Sequence, residues 1–178
     1  MGPFMGLGAK LIRALSAAGH EVVVLNTLKF LYKPMSVSYK AQQIGALIEL
    51  ASDHEKSVIL IGQSFGADTL LCAAVVLEEQ HRKLIEKIIL IVPSQRGYLK
   101  ATPAEFLNLT APTIDLSAGA SALDFAPVYA IGAARDPGSL HHSPLAKRFT
   151  WCVLPSGHFL TDYGSVIRQT LLWIVKLK

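Results

Sequence analysis

Short apolar runs rich in β-branched residues alternate along this chain with segments whose apolar positions recur every three or four residues. The short runs, at 22–25, 58–61, 88–92, 128–131 and 151–154, read as strands. They are mostly continuous rather than alternating in hydrophobicity, the pattern of strands covered on both faces. The segments of helical period are 6–18, 40–52, 67–81 and 163–177. The first runs into Gly19, a residue suited to the left-handed turn that closes a helix. The second carries Ile44, Leu47 and Ile48 on one face. Strands and helices in alternation predict an α/β fold with a mostly parallel sheet and helices on both faces. One stretch breaks the pattern: residues 93–127 hold Pro103, Pro112, Ala and Ser with little period. Above the strand ends of such a fold it reads either as a lid or pocket wall, or as an irregular connection.

Composition adds bounds. The 178 residues fit a single domain, 1–178, long enough to bury a core. Hydrophobic residues make up 51% and charged ones only 17%, in keeping with strands buried on both faces. The net charge of +4 is carried by scattered Lys and Arg with no long run, so no nucleic-acid partner is expected. A basic face does fit peripheral contact with an anionic membrane surface, or an anionic substrate. The longest apolar run, 70–77, is far shorter than a membrane span. Cys72 and Cys152 read as small core residues in a helix and a strand, with no CxxC spacing. Residues 1–20 lack a signal-peptide pattern, so the chain as it stands is expected in a reduced, cytoplasmic setting.

The candidate chemistry lies at the strand ends. Residues 59–68 read I-L-I-G-Q-S-F-G-A-D, a strand, a sharp turn and a helix, with Gly62, Ser64 and Gly66 in the G-x-S-x-G pattern of a nucleophile elbow. A serine at neutral pH needs a base to take its proton and an acid to orient that base. Asp136 follows the strand at 128–131, and His158 follows the strand at 151–154. Their order, Ser then Asp then His, is that of the α/β-hydrolases. All three loops are expected to open on one edge of the sheet. Asp115 and Asp124 are alternative acids that do not follow a strand. The pair His141-His142 lacks further metal ligands nearby and reads as rim residues, while His20, His54 and His81 lie near helix ends. Asp68 reads as a first-turn acid or as part of a polar network beneath the site.

These residues resemble the bacterial virulence proteins VirJ and AcvB. G-Q-S-F-G-A-D at 62–68 is similar to that family's G-Y-S-F-G-A-D, and T-L-K-F-L-Y at 27–32 to its S-L-R-Y-F-W. R-D-P-G-S-L at 135–140 resembles its acid loop, and P-S-G-H-F-x-x-D-Y at 155–163 its histidine loop. The resemblance implies an α/β-hydrolase with Ser64, Asp136 and His158 as a catalytic triad and the Phe65 N–H as an oxyanion donor. Lys29 and Tyr32, after a strand end, are candidate contacts for a substrate head group; a solvated lysine is the alternative. The family is linked to type IV secretion and to hydrolysis of aminoacylated phosphatidylglycerol, typically in the periplasm. A small-molecule or lipid ester substrate is therefore expected, with no metal or organic cofactor.

Two departures follow. Residues 128–142 contain no cysteine where the family carries a pair suited to an oxidising compartment. The family's oxyanion loop, G-D-G-G-W, aligns its last four residues with Met1-Gly2-Pro3-Phe4, so the strand before that loop is expected to be lacking. That strand would lie between 22–25 and 58–61, leaving a gap there or a direct pairing of the two. A periplasmic location is expected if the natural start lies upstream. The alternative function is a non-catalytic binding or assembly protein, associated with virulence or secretion, on a truncated hydrolase fold.

Overall fold

The computed structural model describes residues 6–27, 35–53, 56–98 and 112–175. Helix α1, Gly6–Ala17, buries Leu7, Leu11 and Leu15 along one stripe. It closes as the sequence predicts: Gly19 takes φ 85°, and the His20 N–H returns to the Leu15 carbonyl at 3.1 Å. Helix α2, Val37–Ser52, starts three residues earlier than its periodicity implied, because the Ser36 hydroxyl accepts from the Tyr39 N–H at 3.1 Å and caps the first turn. Ile44 and Ile48 are buried on its inner face, and Leu47 is half-buried.

Strand β1, Val58–Gln63, leads into helix α3, Phe65–Ala74. A short helix α4, Glu79–Arg82, precedes strand β2, Ile85–Ile91. Two-residue strands β3, Arg96–Gly97, and β4, Ile114–Asp115, pair antiparallel, and helix α5 spans Ser117–Ala122. Strand β5, Val128–Ala133, is followed by two 3₁₀ turns, strand β6, Thr150–Leu154, and helix α6, Tyr163–Val175. The main sheet runs β1-β2-β5-β6 and all its pairings are parallel.

Helices cover both faces. Successive residues of β2 point to opposite sides. Ile88 and Leu90 join Ile44, Ile48, Leu71 and Ala120 in one core, while Ile89 and Ile91 join Leu7, Leu11, Leu15, Val166 and Trp173 in the other. Lys87, also in β2, is buried; its ammonium donates to the Ile174 carbonyl at 3.2 Å and sits 3.0 Å from a Glu86 carboxylate oxygen. It thereby ties the sheet to the last turn of α6.

Two sequence expectations need correction. Residues 22–25 form no strand: among the described residues no backbone ladder reaches them, and β1 pairs with β2 alone. Val22 and Leu25 still turn into the two cores, which accounts for their apolar pattern. Direct pairing with β1 is thus not observed. The helix expected at 67–81 is two helices. The chain turns at 75–78, and the Arg82 side chain donates to the Leu77 carbonyl at 2.8 Å and to the Ala74 carbonyl at 3.0 Å, supplying the ends of α3 with partners from a side chain.

Candidate active site at the carboxyl ends of the strands

The turn from β1 to α3 is built around Ser64, held at φ 50°, ψ −119°. A non-glycine residue with positive φ costs about 1–3 kcal/mol, so the surrounding structure must enforce it. The enforcement is visible. The Ser64 N–H donates to the Ile91 carbonyl at 2.8 Å, continuing the β1–β2 ladder, while its carbonyl accepts from the Asp68 N–H at 3.0 Å and starts the helix. Gly62 is needed for contact: a Cβ there would lie 2.7 Å from the Ala67 Cα and 2.8 Å from the Gly66 carbonyl oxygen. Gly66 is different, since a Cβ on it would meet nothing within 4 Å.

Ser64 Oγ lies 2.8 Å from His158 Nε2, and His158 Nδ1 lies 2.7 Å from Asp136 Oδ2. The second Asp136 oxygen accepts from the Gly138 N–H at 3.0 Å. Asp136 sits in the loop after β5 and His158 in the loop after β6, so three strand ends converge on one edge of the sheet. Asp136 is largely enclosed and His158 about one third exposed, which leaves the ring reachable from solvent. The edge of the Phe159 ring meets the imidazole with centroids 5.9 Å apart.

The other candidate residues fall elsewhere. Asp115 accepts from the Ser117 N–H at 2.8 Å and starts α5, and Asp124 is exposed. His141 Nδ1 is 2.8 Å from the Ser139 hydroxyl, and its ring stacks on His142 at 3.7 Å. Burial, then the neighbouring His142, holds the His141 imidazolium below its usual range. Among the described residues, no three His, Cys, Asp or Glu side chains are grouped to hold a metal ion. His81 packs on Gly45 and lies 2.8 Å from a Glu49 carboxylate oxygen, a structural position. Lys29, Tyr32 and His54 lie outside the described residues.

Beneath Ser64 the structure adds a feature that its sequence motif does not announce. Asp68 is buried, its carboxylate accepts from the Ser94 N–H at 2.9 Å, and burial pushes its pKa up to about 6 against the lowering effect of that bond. Lys40 is fully buried in α2, with its ammonium 5.2 Å from the centre of the Phe65 ring. The signal for Lys40 was present, since it sits four residues before Ile44 and eight before Ile48 on the apolar face of α2. Asp68 was noticed in the sequence, but its partner is distant in the chain.

Solved structures share this architecture at low identity. One is a hydrolase of the α/β superfamily from Xanthomonas campestris, with a TM-score of 0.66 at 14% identity, covering 98% of this chain and 91% of the other. A second belongs to work on two metagenome-derived lipolytic enzymes, with a TM-score of 0.65 at 15% identity over 96% and 88% of the two chains. A third is a monoacylglycerol lipase from Paleococcus ferrophilus, with a TM-score of 0.62 at 16% identity over 94% and 88%. At such identities the likeness establishes the α/β-hydrolase fold. No curated protein matches the chain by sequence. The sequence model of the bacterial virulence protein VirJ, however, matches residues 2–176. The chain is a member of the VirJ family of bacterial virulence proteins, built on the α/β-hydrolase fold.

Proposed function

We propose that the protein is a serine hydrolase of esterase type, in which Ser64 is the nucleophile, His158 the general base and Asp136 the residue that orients His158. The observation that carries this reading is the continuous contact Ser64–His158–Asp136, at 2.8 and 2.7 Å. An ionised Asp136 favours the tautomer with the proton on Nδ1, leaving Nε2 to accept from the serine hydroxyl. As Ser64 Oγ bonds to the ester carbonyl carbon, its proton passes to His158 Nε2 and the carbonyl electrons move onto oxygen. That oxyanion accepts from the Phe65 N–H at the start of α3, where the helix dipole also favours negative charge. Collapse expels the alcohol, which takes the proton from His158, and water then releases the acid by the same steps in reverse roles.

The substrate in this reading is a lipid or small-molecule ester. An aminoacylated phospholipid is the member of that class in keeping with the family, and Lys29 and Tyr32 are its proposed head-group contacts. The whole chain acts as one domain, with 93–127 as the pocket wall or lid. Its described parts fit that role, since Gln95 and Leu140 exchange backbone bonds with Gly138 and Pro93 beside Asp136. The test is turnover of a short activated ester by the wild type and by Ser64→Ala. Activity that vanishes in the variant supports the reading. An inert wild type, folded and soluble, would favour the binding or assembly role instead.

A further inference from the structure

Phe159 directly follows the proposed base, and its side chain is 65% exposed. A lone exposed apolar side chain is ordinary on a protein surface. This one is held outward by both of its flanks. On one side, His158 is fixed between Asp136 at 2.7 Å and Ser64 at 2.8 Å. On the other, Leu160 is buried in the core that also takes Leu7, Leu11 and Trp173. The acid loop clamps the histidine loop as well: the Arg135 N–H donates to the Ser156 carbonyl at 2.9 Å, and its guanidinium to the Pro155 carbonyl at 3.0 Å. The Phe159 ring is thereby left on the rim beside the imidazole, with the two planes at 86° and the centroids 5.9 Å apart. Other exposed large apolar side chains lie on helices or a turn: Leu50 on α2, Leu172 and Val175 on α6, Val75 and Val76 after α3.

The chemistry decides which half of an ester comes to this rim. The acyl half is bonded to Ser64 Oγ, with its oxygen on the Phe65 N–H. The alcohol half leaves by taking the proton from His158 Nε2, so its oxygen must come within about 2.6–3.2 Å of that nitrogen. The first carbons of the alcohol therefore pass beside the imidazole, where the Phe159 ring offers them an apolar surface.

Building on the esterase reading, we propose that Phe159 is a specificity-determining residue for the leaving alcohol: its exposed ring beside His158 receives an apolar chain, so the lipid-like part of the ester lies on the alcohol side. Chain and ring shed water together as they meet, which favours binding. The contact persists while the alcohol oxygen takes its proton, so the gain carries into the transition state and appears in kcat/KM. A charged or polyhydroxylated alcohol would give up water to an apolar ring that returns no hydrogen bond.

The test varies one half of the ester at a time, in the wild type, Phe159→Ala and Phe159→Leu. Methyl, butyl and hexyl acetate vary the alcohol; methyl acetate, butyrate and hexanoate vary the acid. The hexyl-to-methyl ratio of kcat/KM along the alcohol series should fall by about five- to tenfold in Phe159→Ala, less than an enclosed pocket would give over as many methylenes. Phe159→Leu, apolar and of similar reach, should restore most of that ratio. Along the acid series the ratio should not move. Equal losses on every ester, methyl acetate included, would mean that Phe159 merely supports His158 and would overturn the proposal. A second measurement needs no turnover: hexan-1-ol is titrated into the protein while the His158 ring is followed by NMR. The ring signals should shift with hexan-1-ol, far less with methanol at the same concentration, and not in Phe159→Ala. No shift with hexan-1-ol in the wild type would overturn the proposal whether or not the protein turns over esters, so its failure is distinct from that of the esterase reading, which Ser64→Ala tests.

Discussion

The two glycines of the serine turn look equivalent in the sequence and should behave in opposite ways when replaced by alanine. In Gly62→Ala the new Cβ would meet the Ala67 Cα at 2.7 Å, the Ala67 nitrogen at 2.8 Å and the Gly66 oxygen at 2.8 Å. All three are backbone atoms in the turn and the first coil of α3, so no side chain can rotate away. Overpacking of this kind costs about 1–3 kcal/mol. For a chain of this length each kcal/mol moves Tm by about 2–4 °C, so Tm should fall by roughly 2–12 °C. The shift also displaces Ser64, and a misplacement of about 1 Å can cost about a hundredfold in rate. Gly66→Ala meets nothing within 4 Å and lies inside α3, where alanine is the better helix former by about 0.5–1 kcal/mol. Its Tm should rise by roughly 1–4 °C. Thermal unfolding followed by circular dichroism, with ester turnover measured on the same preparations, checks both. A Gly62→Ala variant as stable as the wild type, or equal losses in the two variants, would refute the packing argument.

Asp136→Asn keeps the shape of the contact, but with its amide oxygen on the Gly138 N–H it turns an NH2 donor toward His158 Nδ1 and favours the wrong tautomer, so kcat should fall by about 10⁴ with little change in Tm; a loss below tenfold would mean another acid orients the ring. Asp68 gives a stability prediction of definite sign. Its folded pKa, about 6, lies above its ordinary 3.8, so the folded chain holds this proton more tightly than the unfolded one. That contribution is full below about pH 3.8 and is lost as pH rises through about 6. Denaturant unfolding at pH 4 and pH 7 should therefore show wild type losing stability relative to Asp68→Asn as pH rises, and a constant difference would contradict the assignment.

Much of the geometry of the candidate site could be read from the chain because its parts are local. Ser64 sits in a five-residue pattern between a strand and a helix, and Asp136 and His158 each follow an apolar run that the parallel sheet brings to one edge. The fold class was readable for the same reason, since strands buried on both faces leave continuous apolar runs. The misreadings came where local pattern and long-range pairing part company. Residues 22–25 have a strand's composition, but a strand exists only with a ladder partner, and their apolar side chains serve the cores without one. The apolar run through 75–78 hid the end of α3, which depends on Arg82 donating back to its carbonyls. Lys40 lay on an apolar helix face, yet its packing over the Phe65 ring, 25 residues away, depends on how α2 and α3 meet. Asp68 itself needed the Ser94 N–H, on the far side of β2, to show that it is more than a first-turn acid.

Ser64 as a nucleophile is the claim on which the rest depends, and it can be tested by covalent capture. The purified chain is incubated with a fluorophosphonate across pH 6–9, and the adduct is located by peptide mass spectrometry. The account predicts one adduct per chain on Ser64, abolished in Ser64→Ala and strongly slowed in His158→Ala. A folded chain that stays unlabelled throughout, or carries the adduct on another serine, would contradict it.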